Sequence, residues 1–118
     1  ATVGQIVKSL VFLAGDDPIL ALVSGSNRAG TTKLAHITGA AIHRADADTV
    51  RRVTGFAIGG VPPLGHTTPL RTYLDRDLLR YATVWAAAGT PNAVFAITPA
   101  ELVRVASAEI VDLAVEHE

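Results

Sequence analysis

The chain contains no cysteine, no methionine and one tryptophan, Trp85. The missing cysteines exclude disulfides, a thiol nucleophile and thiolate-held zinc. Their absence fits a reducing, cytoplasmic setting. Aromatic residues are scarce at 5%, so the 49% apolar fraction is mostly Ala, Val, Leu and Ile. No apolar run reaches the roughly eighteen residues that a membrane-crossing helix needs. The opening residues show no basic stretch followed by an apolar one, so no secretory signal is read. Charge of one sign is also lacking: ten Lys/Arg stand against eleven Asp/Glu, for a net charge of −1. That balance excludes a global basic field for gripping nucleic acid. With 118 residues the chain has room for one domain and enough apolar side chains for a core.

What the chain does have is glycine and proline concentrated in one place. The run Thr54-Gly55-Phe56-Ala57-Ile58-Gly59-Gly60-Val61-Pro62-Pro63-Leu64-Gly65-His66 follows an apolar strand-like segment. Glycine admits positive φ and lets backbone approach a ligand. Adjacent prolines stiffen a loop. A stiff loop with bare N–H groups suits an anionic or carbonyl oxygen. An ordinary tight turn is the bland alternative.

The remaining pattern reads as short alternating elements. Residues 4–14 predict a strand, 15–18 a turn and 19–24 the return strand of a hairpin. Residues 25–30 read as a loop. Thr31 or Thr32 is expected to cap a helix that carries Leu34 and Ile37 and ends at Gly39. A short strand over 40–43 follows. Asp46 or Asp48 starts a second helix, with Val50 and Val53 inward, Arg51 and Arg52 outward, and Gly55 at its end. Strands are predicted over 70–74, 83–88, 94–97 and 110–115, with a helical turn over 75–80. Thr98-Pro99-Ala100-Glu101 reads as a capping box with proline at the first helical position, ahead of a helix that buries Leu102 and Val105. This interleaving indicates an α+β domain with a curved mixed sheet.

Few charges interrupt the apolar pattern. On an extended strand Ile6, Lys8, Leu10 and Phe12 share a face, which makes Lys8 the conspicuous one. A snorkelling edge lysine is the alternative. His66 closes the Gly/Pro run. It is a candidate base or substrate contact, though anchoring of the loop is the favoured reading. His36, His43 and His117 have no metal-ligand spacing, and no metal site is expected. Asp46 and Asp48 fit a helix start, where negative charge is favourable. Arg28 and Lys33 read as a solvated pair, and Ser24 and Ser26 as turn residues. No Gly-x-Ser-x-Gly elbow, Walker loop or dinucleotide fingerprint is present.

The order of these motifs resembles the YbaK/prolyl-tRNA-synthetase-associated domain family of aminoacyl-tRNA deacylases. Gly4-Gln5-Ile6-Val7-Lys8-Ser9-Leu10 is similar to the family's first strand with its functional lysine. Residues 54–66 resemble its Gly/Pro loop, Ala87-Ala88-Gly89-Thr90-Pro91 its second pocket segment, and Pro99-Ala100-Glu101-Leu102 its last helix. The resemblance implies a curved mixed, largely antiparallel sheet with short flanking helices. It implies a single domain over 1–118, lacking the helix and strand that family members carry before this point. It implies a free-standing trans-editing hydrolase of the cytoplasm that cleaves the ester of a mischarged tRNA carrying a small amino acid, without cofactor or metal. Its partner is the 3′-terminal aminoacyl-adenosine of that tRNA, with a synthetase as a further one.

The catalytic residues carried over are Lys8, Gly59 and Gly60. The substrate-binding ones are Val61, Pro62, Pro63, His66, Ala87, Gly89 and Thr90. Relatives place serine or histidine near Ala87, so the alanines at 86–88 weaken a cysteinyl-tRNA reading. They imply a pocket that sorts cargo by size. A non-catalytic binding module of the same fold is the main alternative. A phosphate or nucleotide binder that uses the glycine loop alone is a weaker one.

Overall fold

A computed structural model describes residues 1–116. His117 therefore lies outside the described residues. The chain opens with a 3-10 turn, Val3–Gln5, where a strand was expected from residue 4; Gln5 turns back to Thr2 and to the Thr83 carbonyl instead of extending. The first strand, β1, spans Val7–Ala14 and β2 spans Asp17–Ser24. They form a hairpin with a two-residue turn in which Gly15 takes φ 60°, a conformation that favours glycine.

β2 is buried from Ile19 through Ser24, as the centre of a sheet covered on both faces must be. The sheet is open and runs in the order β4-β1-β2-β5-β8, where β4 is Ile42–Arg44, β5 Arg71–Asp75 and β8 Glu109–Val111. β4 and β2 flank β1 antiparallel, whereas β5 and β8 add in parallel. Two antiparallel pairs complete the architecture: β3 (Asn27–Ala29) with β9 (Ala114–Glu116), and β6 (Val84–Ala87) with β7 (Val94–Ile97).

Three helices pack on this frame. α1 is Thr31–Thr38, α2 Ala47–Thr54 and α3 Pro99–Ala106. On one face of the sheet Val7, Val11, Leu20, Leu22 and Leu74 meet Val50 and Val53 of α2, Val84 and Ala86 of β6, and Leu102 of α3. On the other face Phe12, Ile19, Ala21, Val23 and Tyr73 meet Leu34 of α1 and Leu113. The pleat of β1 therefore sends Val7, Val11 and Leu13 to the first core and Leu10, Phe12 and Ala14 to the second.

The expected pattern differs from the structure in four further places. The loop over 25–30 contains β3, because β9 arrives to pair with it. α1 begins at Gly30, without a side-chain cap, so neither threonine serves. The strand over 110–115 is two strands: the fully buried Leu113 separates β8 from β9, and its carbonyl accepts the Gly30 N–H at 2.7 Å. The capping box of α3 forms in its Thr98 half, at 3.2 Å to the Glu101 N–H, while the Glu101 carboxylate is engaged by Arg104; Val105 is only half-buried. For α2, Asp46 is the cap, accepting the Thr49 N–H at 2.8 Å, and Gly55 ends the helix at φ 84°.

Candidate active site

β1 has an incomplete neighbour on one side. β4 pairs with it only over Phe12 to Ala14, and the Ala45 N–H closes onto the Val11 carbonyl at 3.2 Å. At the other end a single bridge joins Ile6 to Trp85 of β6. Between these two points a cavity of about 360 Å³ opens along the strand, with residues 6–11 as its floor. Arg44, Ala45 and Val50 wall it from the β4–α2 side, Trp85 and Ala87 from β6. Ile58, Gly59 and Val61 of the Gly/Pro loop wall it too, with Pro91 and Val94 beyond. Its size and largely apolar lining are those of a small-ligand site.

Lys8 lies on the cavity floor and is half-buried. Its ammonium donates to the main-chain carbonyl of Asn27. Burial pushes the Lys8 pKa below the usual lysine range; the negative charge of Asp75 opposes this and Arg44 adds to it. Asp75 is fully buried, accepting the Ser24 N–H at 3.1 Å, the Asn27 amide at 2.9 Å and the Asp77 N–H at 2.9 Å.

The Gly/Pro loop divides its residues between two jobs. Gly59 has φ 89°, and a Cβ built there meets no atom within 4 Å. Gly60 is buried, and its N–H donates to the Ala57 carbonyl at 3.0 Å. That bond corrects the expectation that Gly60 offers a bare N–H to substrate. The N–H groups of Gly59 and Val61 have no acceptor among the described residues, and both residues line the cavity. Pro62 and Pro63 are buried behind the wall. His66 Nε2 donates to the Pro62 carbonyl at 2.7 Å, which holds the loop's return; with Pro63 it borders a separate depression. Gly89, at φ 103°, packs on Phe56, and Thr90 backs Gly60; neither lines the cavity. Lys8, Gly59, Val61 and Ala87 are thus brought together, while Gly60, Pro62, Pro63, His66, Gly89 and Thr90 form the shell that shapes the wall.

Three lining residues were not singled out from sequence. Arg44 stacks over Phe12 at 5.6 Å and adds a second positive charge beside Lys8. Trp85 closes one end. Ser9 carries a buried Oγ with no hydrogen-bond partner among the described residues; leaving such a group unmade costs about 1–3 kcal/mol. Strand alternation puts Ser9 between Val7 and Val11, which is the one signal that pointed to it. No three His, Asp or Glu side chains converge on a metal-sized site among the described residues.

Comparison with known proteins agrees with this geometry. Residues 1–105 match the aminoacyl-tRNA editing domain, and the chain belongs to that family. A solved structure described as a candidate trans-editing enzyme for prolyl tRNA synthetase superposes with a TM-score of 0.95 at 53% identity, over 98% of this chain and 73% of that one. The uncharacterised protein YwhH of Bacillus subtilis (strain 168) is 34% identical over 102 residues, 86% of this chain and 65% of its own length. A proline–tRNA ligase of Lactobacillus helveticus is 36% identical over 61 residues, 51% of this chain but 11% of the ligase. The chain thus spans just under two thirds of YwhH and a small part of the ligase. No helix among the described residues is long and apolar enough to cross a membrane.

Proposed function

We propose that the chain hydrolyses the ester between a small amino acid and the 3′ end of a mischarged tRNA, acting as a free-standing domain without a metal. The observation that carries this is a small, mostly apolar cavity with a cationic floor residue and unengaged backbone donors on one wall. The aminoacyl side chain sits among Val50, Val61 and Ala87. Water attacks the ester carbon, and the N–H groups of Gly59 and Val61 receive the negative oxygen of the tetrahedral intermediate. The C–O bond to the ribose then breaks as the tetrahedral oxygen re-forms the carbonyl. One proton from the attacking water passes to the ribose oxygen, which leaves as a hydroxyl, and the amino acid departs as its carboxylate with the other proton lost to solvent. Donors of this kind each contribute about 3–4 kcal/mol when preorganised. Lys8 and Arg44 hold the terminal phosphate by charge. An ester is already activated, so positioning supplies much of the rate.

Two of the similar proteins carry prolyl names, so tRNA for proline is the first carrier to test. Initial deacylation rates are to be compared for alanyl, seryl, threonyl and phenylalanyl groups on that tRNA. Small groups are expected to be removed and the aromatic one spared, since one methylene is worth about 1–3 kcal/mol in such a pocket. Equal rates for all four would refute a size-sorting pocket. Binding of the charged tRNA without ester loss would favour the non-catalytic reading, for which the absence of a polar side chain at Ala87 is the supporting feature. Treatment with a chelator is expected to leave the rate unchanged; a loss restored by added metal would sink the metal-free mechanism.

A further inference from the structure

We propose that Asp75 and Asn27 are positioning residues that hold the ammonium of Lys8, a residue of the cavity floor, charged and fixed. The inference rests on the editing function proposed above for its consequence, though not for its geometry. Asp75 ends β5, two strands away from β1, and no part of it reaches solvent. A buried carboxylate is costly unless every oxygen is satisfied, and here three donors satisfy it. Oδ2 takes the Ser24 N–H and the Asn27 side-chain amide, and Oδ1 takes the Asp77 N–H. The same Asn27 amide also donates to Asp77 Oδ2 at 2.8 Å. Asn27 is therefore gripped by two carboxylates through its side chain, which leaves its main-chain carbonyl pointed at Lys8.

The arrangement does two things for Lys8. It aims a carbonyl dipole at the ammonium, and it buries a full negative charge nearby. Of the charges acting on Lys8, Asp75 from β5 favours the ammonium and Arg44 from β4 disfavours it. Burial of Lys8 itself also disfavours the charged form. Asp75 is thus a counterweight that favours the ammonium against the effects of burial and Arg44. Sequence alone did not reveal this, because Asp75 reads there only as the first residue of a helical turn, which its side chain caps through the Asp77 N–H.

The chain has only two lysines, Lys8 and Lys33. Lysine labelled with ¹³C at Cε therefore gives two NMR signals, and Lys8→Arg assigns them. The experiment follows both signals through an alkaline titration in the parent, in Asp75→Asn and in Asn27→Ala, together with kcat and KM for alanyl-tRNA across pH. Lys8 is expected to titrate at lower pH in Asp75→Asn, with Lys33 unmoved. Asn27→Ala keeps the carbonyl but cuts its ties to both carboxylates, so it should move Lys8 in the same direction by less. In Asp75→Asn the alkaline fall of kcat should move down with the Lys8 titration, leaving activity about tenfold lower at mildly alkaline pH.

A folded Asp75→Asn in which Lys8 titrates as in the parent overturns the proposal, whatever the activity. If Asp75→Asn does not fold, Asn27→Ala decides by the same criterion. A parent protein that cleaves no ester while its Lys8 signal shifts in the variants would overturn the editing function and leave the positioning network standing.

Discussion

Replacing Lys8 with alanine is expected to lower deacylation about 10²–10³-fold while the domain stays folded. Lys8 lines the cavity and is half-buried, and its side chain donates to the Asn27 carbonyl. Removing it takes away the central positive charge against which the terminal phosphate or the polarised ester would rest. Stability should hold or rise slightly. The pKa of Lys8 is lowered by burial, so the fold bears a cost for the charged form at every pH below that lowered value. The cost fades as pH climbs into the ordinary lysine range, where both folded and unfolded chains are neutral. Activity has the opposite dependence: it needs the ammonium, so it falls as pH rises through the lowered pKa. Steady-state rates and thermal melts on Lys8→Ala and the parent check both statements. A folded variant with undiminished turnover would remove Lys8 from the mechanism.

Gly60→Val is expected to reduce stability by about 1–3 kcal/mol and to reduce turnover with it. A Cβ at this position would lie 2.9 Å from the Thr90 Cα, 3.0 Å from the Thr90 carbonyl carbon and 3.1 Å from the Pro91 Cδ. Two of these three are backbone atoms, which cannot swing aside as a flexible side chain does. The loop must move off the 89–91 turn, and it carries Gly59 and Val61 with it. Gly59→Ala makes the contrast. Its Cβ meets open space but must take φ 89°, so its cost is strain of about 1–2 kcal/mol without any clash. The family resemblance carries both glycines over as catalytic residues. Gly59 lines the cavity with open space beside it, whereas Gly60 is closely packed against the 89–91 turn. Melting temperature and kcat for the two variants test the division, and an unshifted melt for Gly60→Val would contradict it.

The parts of the fold that sequence showed are those ruled by local chemistry. Gly15, Gly39 and Gly55 each sit at positive φ where a turn or helix end was read, and Asp46 caps α2 through a bond to a residue three positions away. Strand alternation placed Lys8 beside Leu10 and Phe12 on one face. The parts that stayed hidden depend on distant partners. β3 exists because β9 lies against it, and β9 is a separate strand because Leu113 must enter the second core. For the site, the family resemblance carried by the motifs marked Lys8, Gly59, Val61 and Ala87. Local spacing gave no hint that Gly60 would spend its N–H on Ala57 or that His66 would turn to Pro62. Ser9 and Arg44 were hidden for a related reason: each is an unremarkable residue until β4, α2 and β6 close around the open edge of β1.

The pairing of Asn27 with Glu116 in the β3–β9 register has a consequence for the order of events during synthesis. The carbonyl that receives Lys8 belongs to a strand whose partner is among the last described residues to be made. β5, too, acquires its outer neighbour only with residues 109–111. Contacts so far apart in sequence slow folding and must wait for the chain to emerge. A nascent domain that ends before residue 109 is therefore expected to be protease-sensitive and unable to remove an amino acid from tRNA, even though Lys8, the Gly/Pro loop and the cavity wall have all been translated.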